Sequence, residues 1–305
     1  MAMKWEKLGN IYHPTPIHPK LLTHAANPLP VFLEGDIYRI FYSGRDSANR
    51  SSVGYVDIDI IKRKIIYTHK NPAFEFGPEN SFYSHGVSIG NSYSIGNKRY
   101  ILFMGWKCYP DKHWCGEIGR LQLSPDFTLS LEDDRPFMSL DDDDSISLSY
   151  PWVLQDKNNA YQMWYGSTVT WNAGNEEMLH VIKHARSDDG DKWTRIQATV
   201  PYLIGKAQAF SHPSVIGNFI DGYHMWFSYR SGSGEKYRIG YAFSDGGIRW
   251  ELKLEETGIQ TSSSGWDSEM IEYPFIFLHK NRYFMLYNGN GYGMSGFGLA
   301  VLNSL

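Results

Sequence analysis

The sequence predicts an all-β fold, a five-bladed β-propeller, and three observations carry that expectation. The 305 residues include 21 Tyr, 16 Phe, 10 Trp and 29 Gly, a composition of aromatic strands separated by tight turns. One strand pattern recurs about every sixty residues, the length of a blade of four short strands. The last repeat stops one strand short, while a matching strand stands at the opposite end of the chain.

The repeats start near residues 27, 85, 150, 212 and 273. Their first strands read Asn27-Pro28-Leu29-Pro30-Val31, His85-Gly86-Val87-Ser88-Ile89, Tyr150-Pro151-Trp152-Val153-Leu154, His212-Pro213-Ser214-Val215-Ile216 and Tyr273-Pro274-Phe275-Ile276-Phe277. Second strands follow as Tyr38 to Ser43, Tyr100 to Met104, Tyr161 to Tyr165, Tyr223 to Phe227 and Tyr283 to Tyr287. Third strands include Val53-Gly54-Tyr55-Val56, Ile239-Gly240-Tyr241-Ala242 and Phe297-Gly298-Leu299-Ala300. Turns ending in Trp193 and Trp250 lead into fourth strands; there Asp side chains can cap backbone amides while the indoles pack between sheets. The fifth repeat ends at Leu305 after three strands. Trp5-Glu6-Lys7-Leu8 resembles Trp250-Glu251-Leu252-Lys253-Leu254, so the N-terminal strand is expected to complete the last blade and close the ring, removing its exposed edge. Residues 1–305 then form one domain.

Composition also narrows the partners. Lys and Arg number 29 against 33 Asp and Glu, a net charge of −4, which argues against nucleic acid. No apolar run approaches the ~18 residues that span a bilayer, and Met1 to Trp5 lacks the apolar core of a signal peptide, so a cytoplasmic location is expected. Cys108 and Cys115 are too few for a disulfide framework, although close enough to pair within a hairpin.

In a propeller the starts of the first strands and the loops between second and third strands open at one mouth. That gathers Asn27, His85, Tyr150, His212 and Glu272-Tyr273 with Arg45-Asp46, Trp106-Lys107, Trp171, Arg230, Asn288 and the entering segment Trp266-Asp267-Ser268-Glu269. Carboxylates, imidazoles, guanidiniums and aromatic faces around one funnel suit a polar, ring-shaped ligand, a small molecule or oligosaccharide.

With these residues the chain resembles the five-bladed propeller superfamily of glycoside hydrolase families 32, 43, 68 and 130, over essentially its full length. In family 43 a general-base Asp precedes a Pro at the start of the first blade, and a general-acid Glu lies two residues before a Pro in a later blade. Glu272-Tyr273-Pro274 matches the second feature. Asn27-Pro28 departs from the first, and Asn27 cannot take a proton from water. The resemblance implies a glycosidase-like hydrolase with Glu272 as acid and Asp46 or Asp267 as the second carboxylate. Arg45, His85, Trp106, Tyr150, Trp171, His212, Arg230, Glu269, Asn288 and Asn27 would hold the sugar.

Phosphorolysis as in family 130 is the next reading, with Arg45, Lys107 and Arg230 as anion holders. Non-hydrolytic chemistry on a sugar and a binding propeller without turnover are further alternatives. No cofactor is expected; His85, His212 and Glu272 form a weaker alternative as ligands of a divalent metal. The run Asp141 to Asp144 reads as a solvated loop or a calcium attractor, and His180, His184 and His224 as packing or surface residues.

Overall fold

The computed structural model describes residues 3–219, 222–232 and 234–304. Apart from one 3-10 turn at Leu254–Glu256, its regular elements are strands. Strand β1 (Lys4–Tyr12) comes first. There follow β2 (Thr23–Glu34), β3 (Ile37–Arg45), β4 (Ser51–Asp59) and β5 (Lys64–Thr68), then β6 (Gly86–Ile95), β7 (Lys98–Tyr109), β8 (Lys112–Leu123) and β9 (Leu129–Leu131). The second half holds β10 (Leu148–Gln155), β11 (Tyr161–Thr170), β12 (Leu179–Ser187) and β13 (Thr194–Thr199), then β14 (Ser211–Phe219), β15 (Gly222–Tyr229), β16 (Arg238–Ser244) and β17 (Glu251–Leu252). The chain ends with β18 (Glu272–His279), β19 (Arg282–Asn288) and β20 (Phe297–Ser304).

Strands β10 to β13, β14 to β17, and β18 to β20 with β1 form three four-stranded antiparallel sheets. The fourth sheet has eight strands: the meanders β2 to β5 and β6 to β9 are joined by one parallel pair, Ser51 with Gly86. β1 pairs antiparallel with β20, Trp5 opposite Leu302 and Lys7 opposite Ala300, so the first strand of the chain does complete the last sheet. The first strands β2, β6, β10, β14 and β18 pack side by side in cyclic order, β18 returning to β2.

Polar stitches fasten this inner ring. The hydroxyls of Ser43, Ser214 and Ser228 accept backbone N–H bonds from Ile89, Ile276 and Tyr273 of the next repeat. Asn91 exchanges two bonds with Val153. Asn288 on β19 accepts from the Asn27 N–H and donates to the carbonyls of Ala25 and Gly296, tying the last sheet to the first. Buried backbone groups at such seams would otherwise lack partners.

Between sheets the second strands supply the apolar filling. Trp164 is fully buried and meets Trp250 edge to face with ring centres 6.0 Å apart; both indoles donate to the Gly247 carbonyl. In the preceding turn Asp189 caps the Asp191 and Lys192 amides and Ser187 accepts from Gly190, and in the later turn Ser244 accepts from Gly247 in the same way. Cys108 and Cys115 are both free thiols. Cys115 lies opposite Lys107 in the β7–β8 ladder, and alternation along a strand turns Cys108 to the other face, with Trp106.

Candidate functional site

The site begins with the prolines. Four of the five first strands carry an X-Pro step near their start, and in each the pairing register slips there. Proline cannot donate to a ladder, so it is confined to edge strands and bulges, and these four strands are sheet edges. The exception proves informative: β6 pairs on both sides and has Gly86 in place of proline. The residue before each proline has a left-handed backbone, with φ of 55° at Asn27, 36° at Tyr150, 52° at His212 and 51° at Tyr273. Such values are strained for residues with a Cβ and persist where the surroundings hold them. Here they turn the side chains toward one another: the rings of Tyr150, His212 and Tyr273 form a triangle with centres 5.4 to 5.6 Å apart.

Against this triangle lies a cavity of about 330 Å³, with Tyr150, Tyr273, Ser88 and Ser149 on its inner side. The walls come from the loops and strand ends at the same mouth: Arg45 and Asn49, then Trp106, Cys108 and Trp114, then Met178 and His180, then Phe210, Ser211, Arg230, Tyr237 and Tyr292. Aromatic faces, hydroxyls and two guanidiniums line it. Among the described residues no carboxylate does.

The nearest acid lies behind the wall. Glu272 is fully buried, and neither of its oxygens meets a hydrogen-bond partner of good geometry. Burial holds its carboxyl well above the usual range, against the opposing pull of Arg230, the Tyr273 phenol and Arg45, because a charge taken out of water is disfavoured. Arg230 is itself neutralised by Glu177, whose two oxygens lie 2.7 Å from Nε and 2.9 Å from Nη2. Arg45 donates through Nη1 to the carbonyl and the side-chain oxygen of Asn49, at 3.0 and 2.9 Å. His180 shares its ring nitrogens with Ser149 and Thr168 at 2.7 Å, and burial lowers its pKa to about 4. His212, buried beneath the two tyrosines with no side-chain partner on either nitrogen, is likewise held at about 4 by burial.

Of the residues singled out in the sequence, Arg45, Trp106, Tyr150 and Arg230 line the cavity. Asn27, His212 and Glu272 are buried below it. Asn27 Oδ1 has no partner, while Asn288 is consumed by its three structural bonds. Asp46 caps its own turn, accepting from the Ala48 and Arg50 amides and pairing with the Arg50 side chain at 2.8 Å. Asp267 is buried against Lys7 at 2.7 Å and accepts from the Tyr287 hydroxyl. Neither carboxylate reaches the cavity wall. Glu269 is exposed. His85 is half-buried beside Ser84 and Trp106, and Trp171 stacks on His113 and meets Trp114 edge to face, outside the lining.

Among the described residues no group of three or more His, Cys, Asp or Glu side chains gathers as a metal site, so His85, His212 and Glu272 do not converge as ligands. In the acidic run Asp141, Asp142 and Asp143 are exposed, as a solvated loop would have them, but Asp144 is buried between Lys183 at 2.7 Å and Arg195 at 2.9 Å. Sequence reasoning missed Glu177, Met178, Phe210, Tyr237 and Tyr292, and read His180 as a packing or surface residue, whereas it lines the cavity. The signal for Glu177 and Arg230 was opposite charge on loops of adjacent repeats at one mouth.

Fold and cavity place the chain among all-β, propeller-like proteins with the architecture of glycoside hydrolases. A glycosyl hydrolase from Bacteroides ovatus superposes with a TM-score of 0.73 at 14% identity, covering 99% of this chain and 94% of that one. A structure reported with the family 130 mannoside phosphorylases, a family containing hydrolases of β-1,2 mannosidic linkages in Candida mannan, gives 0.74 at 11%, covering 99% and 94%. A thermostable family 43 glycoside hydrolase gives 0.67 at 15%, covering 96% and 91%. These likenesses establish the fold. No family model matches the chain. The uncharacterized proteins Rv1502 and MT1551 of Mycobacterium tuberculosis (strains H37Rv and CDC 1551) are each 39% identical over 303 residues, 99% of this chain and all of theirs. The chain belongs to the family of these two proteins.

Proposed function

We propose that this protein is a single-domain, five-bladed propeller that acts on a carbohydrate in the central cavity, transferring a glycosyl group with Glu272 as proton source. The observation that carries this reading is a fully buried carboxyl without a hydrogen-bond partner directly behind an aromatic cavity, with no second carboxylate on its wall among the described residues. Two-carboxylate hydrolysis needs one acid and one ionised base, and Asp46 and Asp267 are both engaged elsewhere. Transfer to an already ionised co-substrate such as phosphate needs only the acid, because its attacking oxygen has no proton to lose. In that step the bond from the anomeric carbon to its leaving oxygen breaks, and that oxygen takes a proton. The anomeric carbon then bonds to the co-substrate oxygen. Tyr273, which lines the cavity and interacts with the Glu272 carboxyl, passes the proton.

The test is cleavage of a panel of aryl and natural glycosides with and without inorganic phosphate or an acceptor sugar. Cleavage that requires the co-substrate and is lost in Glu272→Gln supports the reading. Equal cleavage in water alone returns the protein to the hydrolases. A second reading, sugar binding without turnover, is favoured by the complete burial of Glu272; measurable affinity with no cleavage under any condition would select it.

A further inference from the structure

We propose that the cavity takes a carbohydrate carrying a negative charge, a sugar carboxylate or phosphate ester, and that Arg45 holds the charged group. This rests on the reading of the cavity as a sugar site and names the class of sugar.

The argument is one of charge and of free donors. Two guanidiniums line the cavity. Arg230 is spoken for: Glu177, nearly buried, pairs with it through both oxygens and is itself fixed by a bond from the Met178 amide. Arg45 has no such neutraliser. Among the described residues no carboxylate lies within 4.0 Å of it, and its hydrogen bonds run from Nη1 alone, both to Asn49. Its remaining N–H groups are left for a ligand. Among the described residues no acidic side chain lines the cavity, Glu272 lying behind its wall, and both ring nitrogens of His180 are committed to hydroxyls.

Arg45 is also held in place. It ends β3, and Asn49, at a left-handed φ of 64°, is presented by the turn that Asp46 caps. The indole of Trp106 flanks the guanidinium, 5.7 Å from its carbon to the ring centre. A planar fork fixed on one side and open on the other matches a carboxylate or phosphate with two acceptor oxygens. A neutral sugar closing over it would strip water from a cation and return no charge.

Binding of matched probes tests this by calorimetry at pH 7 and low salt. The probes are glucose, galactose and mannose, their uronic acids, their 6-phosphates, and inorganic phosphate alone. At least one charged member is expected to bind about tenfold or more tightly than its neutral parent, the scale of a charge-assisted hydrogen bond. Arg45→Met should erase that preference, Arg45→Lys should keep part of it, and added salt should narrow it. Neutral parents binding as tightly as their charged partners would overturn the inference while leaving the sugar reading intact. Inorganic phosphate binding as tightly as every sugar phosphate would overturn it in favour of a co-substrate anion. A preference unchanged in Arg45→Met would overturn the assignment to Arg45. Binding of no probe, charged or neutral, would overturn both readings.

Discussion

Replacing Glu272 by Gln removes one titrating proton from a site that is completely buried, and the consequence can be worked out before any substrate is known. Burial raises the folded-state pKa of this carboxyl well above its ordinary value, whereas in the unfolded chain it ionises near pH ~4.3. Between those two values the folded protein keeps the proton and the unfolded protein releases it. The unfolded state therefore gains with rising pH, and the wild type loses about 1.4 kcal/mol of stability per pH unit from this group. The contribution is fully present below the unfolded pKa and gone once pH passes the folded one. For 305 residues, an unfolding entropy of about 2.1 cal/mol/K per residue turns that slope into about 2 °C of Tm per pH unit. The Gln variant has no such slope. Any fixed offset from exchanging an oxygen for an amide cancels when only the pH dependence is compared. Differential scanning calorimetry of both proteins from pH 5 upward should show the variant gaining on the wild type by about 2 °C per unit, then levelling where the folded carboxyl titrates. A constant difference would mean that Glu272 titrates alike in both states, and the buried-acid reasoning would fail. A difference of opposite sign would mean that Arg230 and Arg45 keep it ionised.

Three further outcomes follow from the same structure. Asp144→Asn leaves Lys183 and Arg195 without their buried counter-charge and should cost about 3–5 kcal/mol, or about 5–8 °C in Tm at pH 7; a loss under 1 °C would show that the cluster contributes little. His212, held neutral in the fold with a pKa of about 4, protonates first in the unfolded chain as pH falls below about 6.5. It thereby drains stability between those values, so His212→Phe should recover about 2 kcal/mol relative to wild type on going from pH 7 to pH 5, read by urea unfolding. Gly86→Ala would set a Cβ 2.2 Å from the Ser51 hydroxyl and 2.4 Å from the Trp106 indole nitrogen. The indole must then shift out of the cavity wall, with a changed tryptophan emission and a loss of about 1–3 kcal/mol; an unaltered spectrum and Tm would refute the close packing.

Much of this molecule was legible in the chain because its period repeats. Aromatic second strands announce themselves five times over and X-Pro first strands four times, and Trp5-Glu6-Lys7-Leu8 could be matched to a strand missing three hundred residues away. The walls of the cavity were harder to read. Met178, Tyr237 and Tyr292 stand in or beside connections between second and third strands, whose paths follow left-handed residues such as Gly174, Gly234 and Gly291, and no periodicity reports where such a loop points. Asp46 and Asp267 show the reverse failure: carboxylates near the mouth in sequence, but taken up by Arg50 and Lys7, partners that spacing does not disclose. Glu272 is the most instructive case. It was read as facing the funnel because it begins a first strand. The ladder pairs Glu272 with Asn288 and next pairs Phe275 with Leu286, so the bulge falls on Tyr273-Pro274. A slip of one residue exchanges the faces of a strand. The bulge therefore gives the cavity to the tyrosine and the interior to the acid, and it is this inversion, from exposed pair to buried single carboxyl, that argues against water as the acceptor.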